Sequence, residues 1–127
     1  MIRNFLIIHC IGKDDKLGLR INKDFFIHKL ESSFFKREML VSEIFNFFKK
    51  HHVSLDSDFS VIVNQGPGSY SGVRMALAVA KGLEISKKIR LFGYKNEDLK
   101  VFDRKNTEKL INKNLLEKNL IKPIYLS

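Results

Sequence analysis

The sequence predicts an α/β domain built on a mixed sheet, with elements in the order β, β, β, α, β, α, β and a short helical C-terminal tail. Three observations lead to this prediction. Short apolar or alternating runs separated by polar turns open the chain, helical spacing takes over after about residue 33, and a buried β-run then enters a Gly-rich turn. Strands followed by strand and helix alternation are typical of a mixed sheet with crossover connections.

The first three strands come from consecutive runs near the N-terminus. "NFLIIHCI" is an apolar run of strand length that ends at a polar turn starting with Gly12. "LGLRI" alternates in polarity, and "FFIHKLE" follows the turn formed by residues 22–24. Because both turns are short, the sequence predicts an antiparallel meander.

The first helix is predicted from Ser33 to His51. Its apolar residues recur every three to five positions, as they do along one side of a helix: Phe35, Met39, Leu40, Ile44, Phe47 and Phe48. Phe34, Val41 and Phe45 widen this apolar surface beyond the stripe that packing on one sheet requires. The excess predicts a second binding partner for this helix.

The second helix is predicted from Gly72 to Ser86, after the buried strand "DFSVIVNQ" and before the strand "IRLFGY". One apolar face carries Val73, Ala76, Leu77, Ala80 and Leu83. The small residues Ala78 and Gly82 on its flanks permit close approach of another element. That element is either the domain's own sheet or an external helix, and we favour the external helix. An Ala80→Arg substitution is then expected to abolish partner binding and leave the fold intact.

This element order describes a ribonuclease H-like or actin-like mixed sheet. We expect it to occupy residues 1–94, with residues 95–127 forming a tail. The tail contains a predicted helix from Asn106 to Asn119 whose leucines either cover the sheet or belong to a disordered linker.

Composition limits the class of protein. A chain of 127 residues with 44% hydrophobic residues fits one domain. A single cysteine, Cys10, allows no internal disulfide and fits a reducing compartment. Neither a signal peptide nor an apolar run of roughly 20 residues is visible, so the sequence predicts a soluble, cytoplasmic protein without a membrane role.

The net charge of +9 has two explanations. Lysines and arginines near phosphates give sequence-independent affinity for nucleic acid. An AT-rich coding sequence would also enrich Lys, Asn, Ile and Phe without selection for binding. We favour compositional drift slightly, because the lysines are scattered along the chain. Most lysine pairs also lie at predicted helix ends, where they interact favourably with the negative pole of the helix dipole.

The Gly-rich segment "NQGPGSYSG" lacks the spacing of three known motifs. It has no Gly-Lys pair for a P-loop, its third glycine is one position late for a dinucleotide fingerprint, and Tyr70 stands where a nucleophile elbow needs serine. Two interpretations remain open with equal weight. The segment is a corner from strand to helix, or it binds a phosphate at the helix start through residues Gly66, Gly68, Ser69, Ser71 and Gly72.

The sequence contains little evidence for a metal site or for a nuclease. His9 ends an apolar strand with no second ligand at metal spacing, so no metal site is predicted. A ribonuclease H-like nuclease is an alternative function, but it needs converging carboxylates, including one on the first strand, and Asp14 and Asp15 lie in the following turn. A stand-alone nucleotide-binding module is the third alternative.

The segment "GPGSYSGVRMALAVAKGLE" closely resembles the hallmark of the TsaB (YeaZ) family, GPGSFTG(L/V)R followed by a helix of small residues. "SLDSDFSVIVNQ" and the closing "KPIYLS" resemble that family's approach to the loop and its terminal P-x-Y-L-R. The resemblance implies an actin-like fold and a subunit without catalytic residues. It also implies a role beside a TsaD-like threonylcarbamoyl transferase and a TsaE-like ATPase, which modify the adenosine next to the tRNA anticodon.

By that resemblance, the two predicted helices form the surface that docks on the TsaD-like transferase or on a second copy, and tRNA is contacted only indirectly. The predicted interface residues are Phe35, Met39, Val73, Arg74, Ala76, Leu77, Ala80 and Lys81. Two departures from the family bear on nucleotide binding. His9 and Cys10 stand where the family has Asp-Thr, and only about thirty residues follow Gly93, where the family has a second domain. We therefore expect no cofactor on the isolated chain, and ATP or ADP only at a site shared with the partner.

Overall fold

A computed structural model describes residues 2–31, 37–56, 58–119 and 121–124. The predicted order of strands and helices is confirmed within these residues. The elements are β1 (Asn4–His9), β2 (Lys16–Ile21), β3 (Asp24–Lys29), α1 (Arg37–Lys50), β4 (Phe59–Asn64), α2 (Tyr70–Lys87), β5 (Arg90–Tyr94) and α3 (Arg104–Asn112), with a 3₁₀ turn at Asn96–Asp98 before α3.

The five strands form one sheet in the order β3-β2-β1-β4-β5. The predicted meander is confirmed, since β1 pairs with β2 and β2 with β3 in antiparallel register. Strand β4 pairs in parallel with β1 on one side and β5 on the other. All six residues of β4 are buried, as expected for a strand covered on both faces.

Helices α1 and α2 cover one face of the sheet. Alternate residues of β1 and β4, such as Leu6 and Val61, point into this layer. They meet Leu40 and Ile44 of α1 and the apolar face of α2, which is why both helices bury a stripe. The first cluster of the core therefore lies between the sheet and these two helices.

Helix α3 covers the opposite face. Leu110 is fully buried against a second cluster that contains Phe5, Ile7 and Ile62. The tail thus packs on the sheet, and the interpretation as a disordered linker is wrong for these residues. The predicted helix end at Asn119 is also wrong. Asn114 adopts a left-handed conformation (φ 57°) and the Leu115 amide donates to the Leu110 carbonyl, a geometry that ends a helix.

After α3 the chain forms what we call the C-terminal strap, residues 117–119 and 121–124. Glu117 and Gly93 exchange two backbone hydrogen bonds of 2.7 and 2.9 Å, so the strap closes the outer edge of β5. Ile121 is 6% exposed and packs into the first core cluster, on the far side of the sheet from Leu110. The strap ends beside the Gly-rich loop, where the Ile124 amide donates to the Gln65 carbonyl at 2.6 Å.

Ile121→Ala tests whether the strap stabilises the domain. Removing a buried isoleucine side chain leaves a cavity, and we expect a loss of about 2 to 4 kcal/mol in the free energy of unfolding. The matched control is Leu115→Ala, at a position 39% exposed, where we expect a change below about 1 kcal/mol. Urea unfolding followed by circular dichroism measures both. Equal effects of the two substitutions would mean that the strap is not part of the folded domain.

Candidate functional site: the Gly-rich loop and the outer faces of two helices

The Gly-rich loop makes the corner between β4 and α2. Ser69 is the N-cap of α2, and its hydroxyl oxygen accepts from the Gly72 amide at 3.1 Å. The Ser69 amide donates to the Ile11 carbonyl at 2.8 Å, which ties the corner to the turn after β1. The helix begins at Tyr70, two residues before the predicted start.

Glycine is required at this corner because two backbone segments nearly touch. Gly12 has φ +101°, and a Cβ there would lie 2.8 Å from the Ser69 side chain. A Cβ on Gly68 would lie 2.7 Å from Ile11. Gly66 has φ +100°, and the Ile124 carbonyl oxygen of the strap occupies the space a Cβ would need. The loop is therefore clamped between the β1–β2 turn and the strap.

The amides of the predicted phosphate loop are largely engaged inside the chain. The Gly66 amide donates to the Asn64 side chain at 2.7 Å, the Ser69 amide to Ile11, and the Gly72 amide to Ser69. A phosphate would have to compete with these bonds. This geometry favours the corner over a phosphate cradle on the isolated chain.

A cleft of about 270 Å³ lies beside the start of α2 and includes Ser69, Ser71 and Gly72 among its lining residues. Its charges have both signs. Lys13, Lys16 and Lys29 line it together with Asp14, Asp15 and Glu31. The Asp15 carboxylate already accepts from the amides of Ile11 and Gly12, at 2.9 and 3.0 Å. Because positive and negative side chains both line the cleft, its charge does not favour the binding of an anion.

His9 is 9% exposed and lies at the end of β1. Its Nδ1 is 3.0 Å from the Asn64 side-chain nitrogen and 3.1 Å from the Tyr94 hydroxyl. Since the amide nitrogen can only donate, Nδ1 acts as an acceptor and the ring proton sits on Nε2. Burial lowers the pKa of His9 below its ordinary value of 6.5. The residue is a neutral, hydrogen-bonded part of the core.

Cys10 is fully buried, and burial raises the pKa of its thiol. Within the described ranges no three His, Cys, Asp or Glu side chains converge as a metal-binding group. None of the helices in the described part of the chain combines the length and apolarity needed to cross a membrane.

The structure corrects the predicted docking face of α2. The side chains of Val73, Ala76, Leu77 and Ala80 are 0 to 4% exposed, and those of Ala76, Leu77 and Ala80 belong to the core cluster between the helices and the domain's own sheet. The sequence pattern could not tell the domain's own sheet from an external helix, because packing on either one would bury the same apolar stripe of α2. An arginine at position 80 would place a charge in the core, so Ala80→Arg tests folding and not docking.

The remaining interface residues lie on exposed surface, except Phe35, which lies outside the described residues. Met39 is 42% exposed, and Arg74 and Lys81 are exposed on the outer side of α2. Arg74 lies over the Tyr70 ring, 5.0 Å from its centroid, and its guanidinium donates to the Tyr70 hydroxyl. Arg74 is therefore held in place on the helix surface.

Two exposed apolar residues extend this surface. Ile85 of α2 is 76% exposed, and Phe45 of α1 is 39% exposed. The Lys87 ammonium, at the C-terminal end of α2, lies 6.0 Å from the Phe45 ring of α1. We call Phe45, Arg74, Lys81 and Ile85 the outer helix face. Its sequence signal is the spacing of 74, 81 and 85, which recurs on the side of α2 opposite the buried stripe.

Met39 lies on another flank of α1. It precedes Glu43 by one turn, and the Glu43 carboxylate is 2.5 Å from His28 of β3. Met39 therefore faces the β3 side of the helix layer and not α2.

Comparison with known proteins finds similarity both in sequence and in structure. No protein-family model matches the chain. The chain is 48% identical over 46 residues to the tRNA threonylcarbamoyladenosine biosynthesis protein TsaB of Buchnera aphidicola subsp. Baizongia pistaciae. This stretch covers 36% of the chain and 21% of that TsaB.

The fold matches YeaZ from Pseudomonas aeruginosa with a TM-score of 0.67 at 17% identity, over 87% of this chain and 50% of YeaZ. A crystal structure of a protein with similarity to peptidase YEAZ from Pseudomonas aeruginosa matches equally, with a TM-score of 0.67 over 87% of this chain and 49% of that one. The chain thus spans about half the length of these structures. The actin-like fold and the resemblance to the TsaB (YeaZ) family are confirmed.

The burial of His9 predicts a pH dependence of stability. Its pKa is lowered in the folded state, so the unfolded state binds more protons below about pH 6.5. The contribution of His9 to stability is complete above that pH and is lost as the pH falls. We expect an NMR titration to give His9 a midpoint below 6.5, and a His9→Gln variant to lose less stability than the wild type between pH 7.5 and pH 5. A midpoint above 6.5 would contradict the neutral, buried ring.

Proposed function

We propose that this chain, which resembles the TsaB (YeaZ) family in sequence and fold, is a non-catalytic scaffold subunit in threonylcarbamoyladenosine modification of tRNA. It docks on a TsaD-like transferase through the outer helix face. The 48% identity to TsaB over 46 residues supports the pathway. The exposure of Ile85 on α2 and of Phe45 on α1 supports the surface.

The single observation that carries the docking surface is the exposure of Ile85. An isoleucine with 76% of its surface in water gains about 1 to 2 kcal/mol when a partner covers it. Lys81 and Arg74 lie on the same side of α2, about one and three turns before it. An apolar centre with a charged rim is the usual anatomy of a protein interface.

Gly82 adds room for a partner beside this surface. A Cβ placed on Gly82 would meet no atom within 4 Å, so the space above the helix backbone is open. A partner side chain can approach the backbone there. Small residues elsewhere in α2, such as Ala76 and Ala80, are instead used to pack the helix on its own sheet.

Three side chains at and after the end of β1 that could carry chemistry are committed to the fold. His9 is bonded to Asn64 and Tyr94, and the thiol of Cys10 is buried with a raised pKa. The carboxylate of Asp15 is bonded to two amides. These contacts support a subunit that assists a transferase. The same contacts do not support the two alternative functions, a ribonuclease H-like nuclease and a stand-alone nucleotide-binding module.

In this proposal tRNA is bound by the assembled complex, with a TsaE-like ATPase as the further partner. ATP or ADP is held only where the Gly-rich loop meets the partner. The engaged amides of Gly66, Ser69 and Gly72 support this dependence, because the isolated loop has few donors to offer.

Ile85→Arg and Phe45→Arg are expected to weaken binding to the TsaD-like transferase of the same organism at least about tenfold. Each places a charge at the apolar centre of the interface. Because Ile85 is 76% exposed, the free energy of unfolding of Ile85→Arg is expected to change by less than about 1 kcal/mol. Phe45→Arg is expected to cost more, since the Phe45 ring packs against Phe48. Co-purification followed by light scattering detects the complex, and calorimetry gives its affinity.

The matched control is Val101→Arg, at a residue 58% exposed in the tail, outside the helix layer. It is expected to bind like the wild type. Wild-type binding by Ile85→Arg, or a loss of binding in Val101→Arg, would refute the proposed surface.

Nucleotide binding is the second measurable consequence. Calorimetry with ATP and ADP is expected to show no heat of binding on the isolated chain and a binding signal on the complex. Ser71→Ala, which leaves the Ser69 cap intact, is expected to weaken binding to the complex about threefold or more by removing one hydroxyl near the helix start. Micromolar binding to the isolated chain would contradict a shared site.

A further inference from the structure

Helix α3 carries a row of lysines on the side that faces away from the sheet. Leu110 is fully buried and Thr107 is 1% exposed, so these two residues mark the buried face of α3. Lys105 and Lys109 lie on the opposite side, about one turn apart, and both are exposed. Lys113, the C-cap residue, is exposed about one turn further along. We call Lys105, Lys109 and Lys113 the lysine row.

The charge of this row is not neutralised within the domain. The Glu108 carboxylate of α3 lies 2.9 Å from the Arg20 guanidinium and 3.3 Å from that of Arg104. The Asp103 carboxylate is the N-cap of α3 and accepts from the Asn106 amide at 2.8 Å. Among the described residues, no carboxylate forms an ion pair with the lysine row. The row therefore presents its positive charges to water along about 12 Å of helix.

The composition of the outer side of α3 distinguishes between classes of partner. Asn112 is exposed beside the lysine row, and α3 has no exposed apolar residue. A helix that lies in a membrane surface needs an apolar face for the lipid, whereas α3 packs its apolar face on the sheet through Leu110. The centre of a protein interface is depleted in lysine and enriched in aromatic residues. Lysine and amide side chains without apolar neighbours are instead typical of contacts with nucleic acid phosphates and sugars.

From this row we infer that α3 binds the phosphate backbone of tRNA directly. The identity of the RNA rests on the proposed function, while the affinity comes from the lysine row itself. Lysines that neutralise phosphates release counterions, and the affinity this gives does not depend on base sequence. The surface therefore holds the body of a tRNA without selecting one tRNA over another.

The lysine row lies on the other side of the sheet from the outer helix face. Helix α3 covers one face of the sheet, and α1 and α2 cover the other. A transferase bound at Ile85 and Phe45 leaves the row accessible, so one chain can hold the transferase and the tRNA together. Two linked contacts raise the affinity of the complex for tRNA above that of the transferase alone.

Salt dependence tests the phosphate contacts. The double variant Lys105→Ala and Lys109→Ala is expected to weaken tRNA binding at least about tenfold at 0.1 M salt. The slope of log K against log salt concentration is expected to fall in magnitude by about two, since each lysine that contacts a phosphate contributes roughly one. Fluorescence anisotropy with a labelled tRNA transcript measures both quantities, on the isolated chain and on its complex with the transferase. Alanine favours the helix, and circular dichroism confirms that the fold is retained.

The matched control is the double variant Lys49→Ala and Lys50→Ala. It removes the same charge from exposed positions at the end of α1, in the other helix layer. We expect it to bind tRNA within about threefold of wild type and to keep the wild-type salt slope. Equal losses in the two double variants would mean that net charge alone attracts the RNA, and would overturn the proposal. Absence of tRNA binding at about 50 mM salt, or tighter binding to phosphatidylserine vesicles than to tRNA, would also overturn it.

Transferase binding by the same variants separates this proposal from the proposed function. The Lys105→Ala and Lys109→Ala variant is expected to bind the transferase like the wild type, because its substitutions lie outside the outer helix face. Wild-type tRNA binding by this variant, with the transferase complex intact, refutes the lysine row alone. A chain that binds tRNA through the row and forms no transferase complex supports the row and refutes the proposed docking function.

Discussion

The constraint on which the structure depends is the complete burial of β4. Each of its six residues is covered, and its side chains alternate between the two faces of the sheet. Val61 and Val63 need a layer on one face, and Ile62 needs a layer on the other. Helices α1 and α2 supply the first layer. The tail must supply the second, and this is why α3 belongs to the domain.

The second constraint is the narrow space around the Gly-rich loop. The turn after β1, the loop itself and the end of the strap meet within van der Waals distance, as the positions of Gly12, Gly68 and Gly66 show. A loop clamped on both sides holds the start of α2 in a fixed position. The position of α2 also fixes that of Arg74 and Lys81 in the outer helix face, because both residues belong to this helix. A motif that looks like a ligand cradle in sequence thus acts first as a structural joint.

Most of the fold could be predicted because its signals are local. The apolar run of β4 and the helical spacing of Leu40 and Ile44 each identify an element without knowledge of its neighbours. The direction of the apolar face of α2 could not be predicted, since Val73 and Ala80 bury equally well against a sheet or a partner. The strap was missed for a similar reason. Its hydrogen bonds to Gly93 join segments far apart in the chain and leave no periodic pattern.

The candidate surfaces follow from what these constraints leave uncovered. Helix α2 buries one face against the sheet and leaves the opposite face exposed. Ile85 lies on that exposed face, with most of its surface accessible to water. The strap closes the β5 edge of the sheet, and within residues 2–31, 37–56, 58–119 and 121–124 no strand pairs with the outer side of β3. The two surfaces differ in chemistry. The helix face offers side chains only, and its partner is set by shape and charge. The edge offers backbone groups, which any extended strand can satisfy.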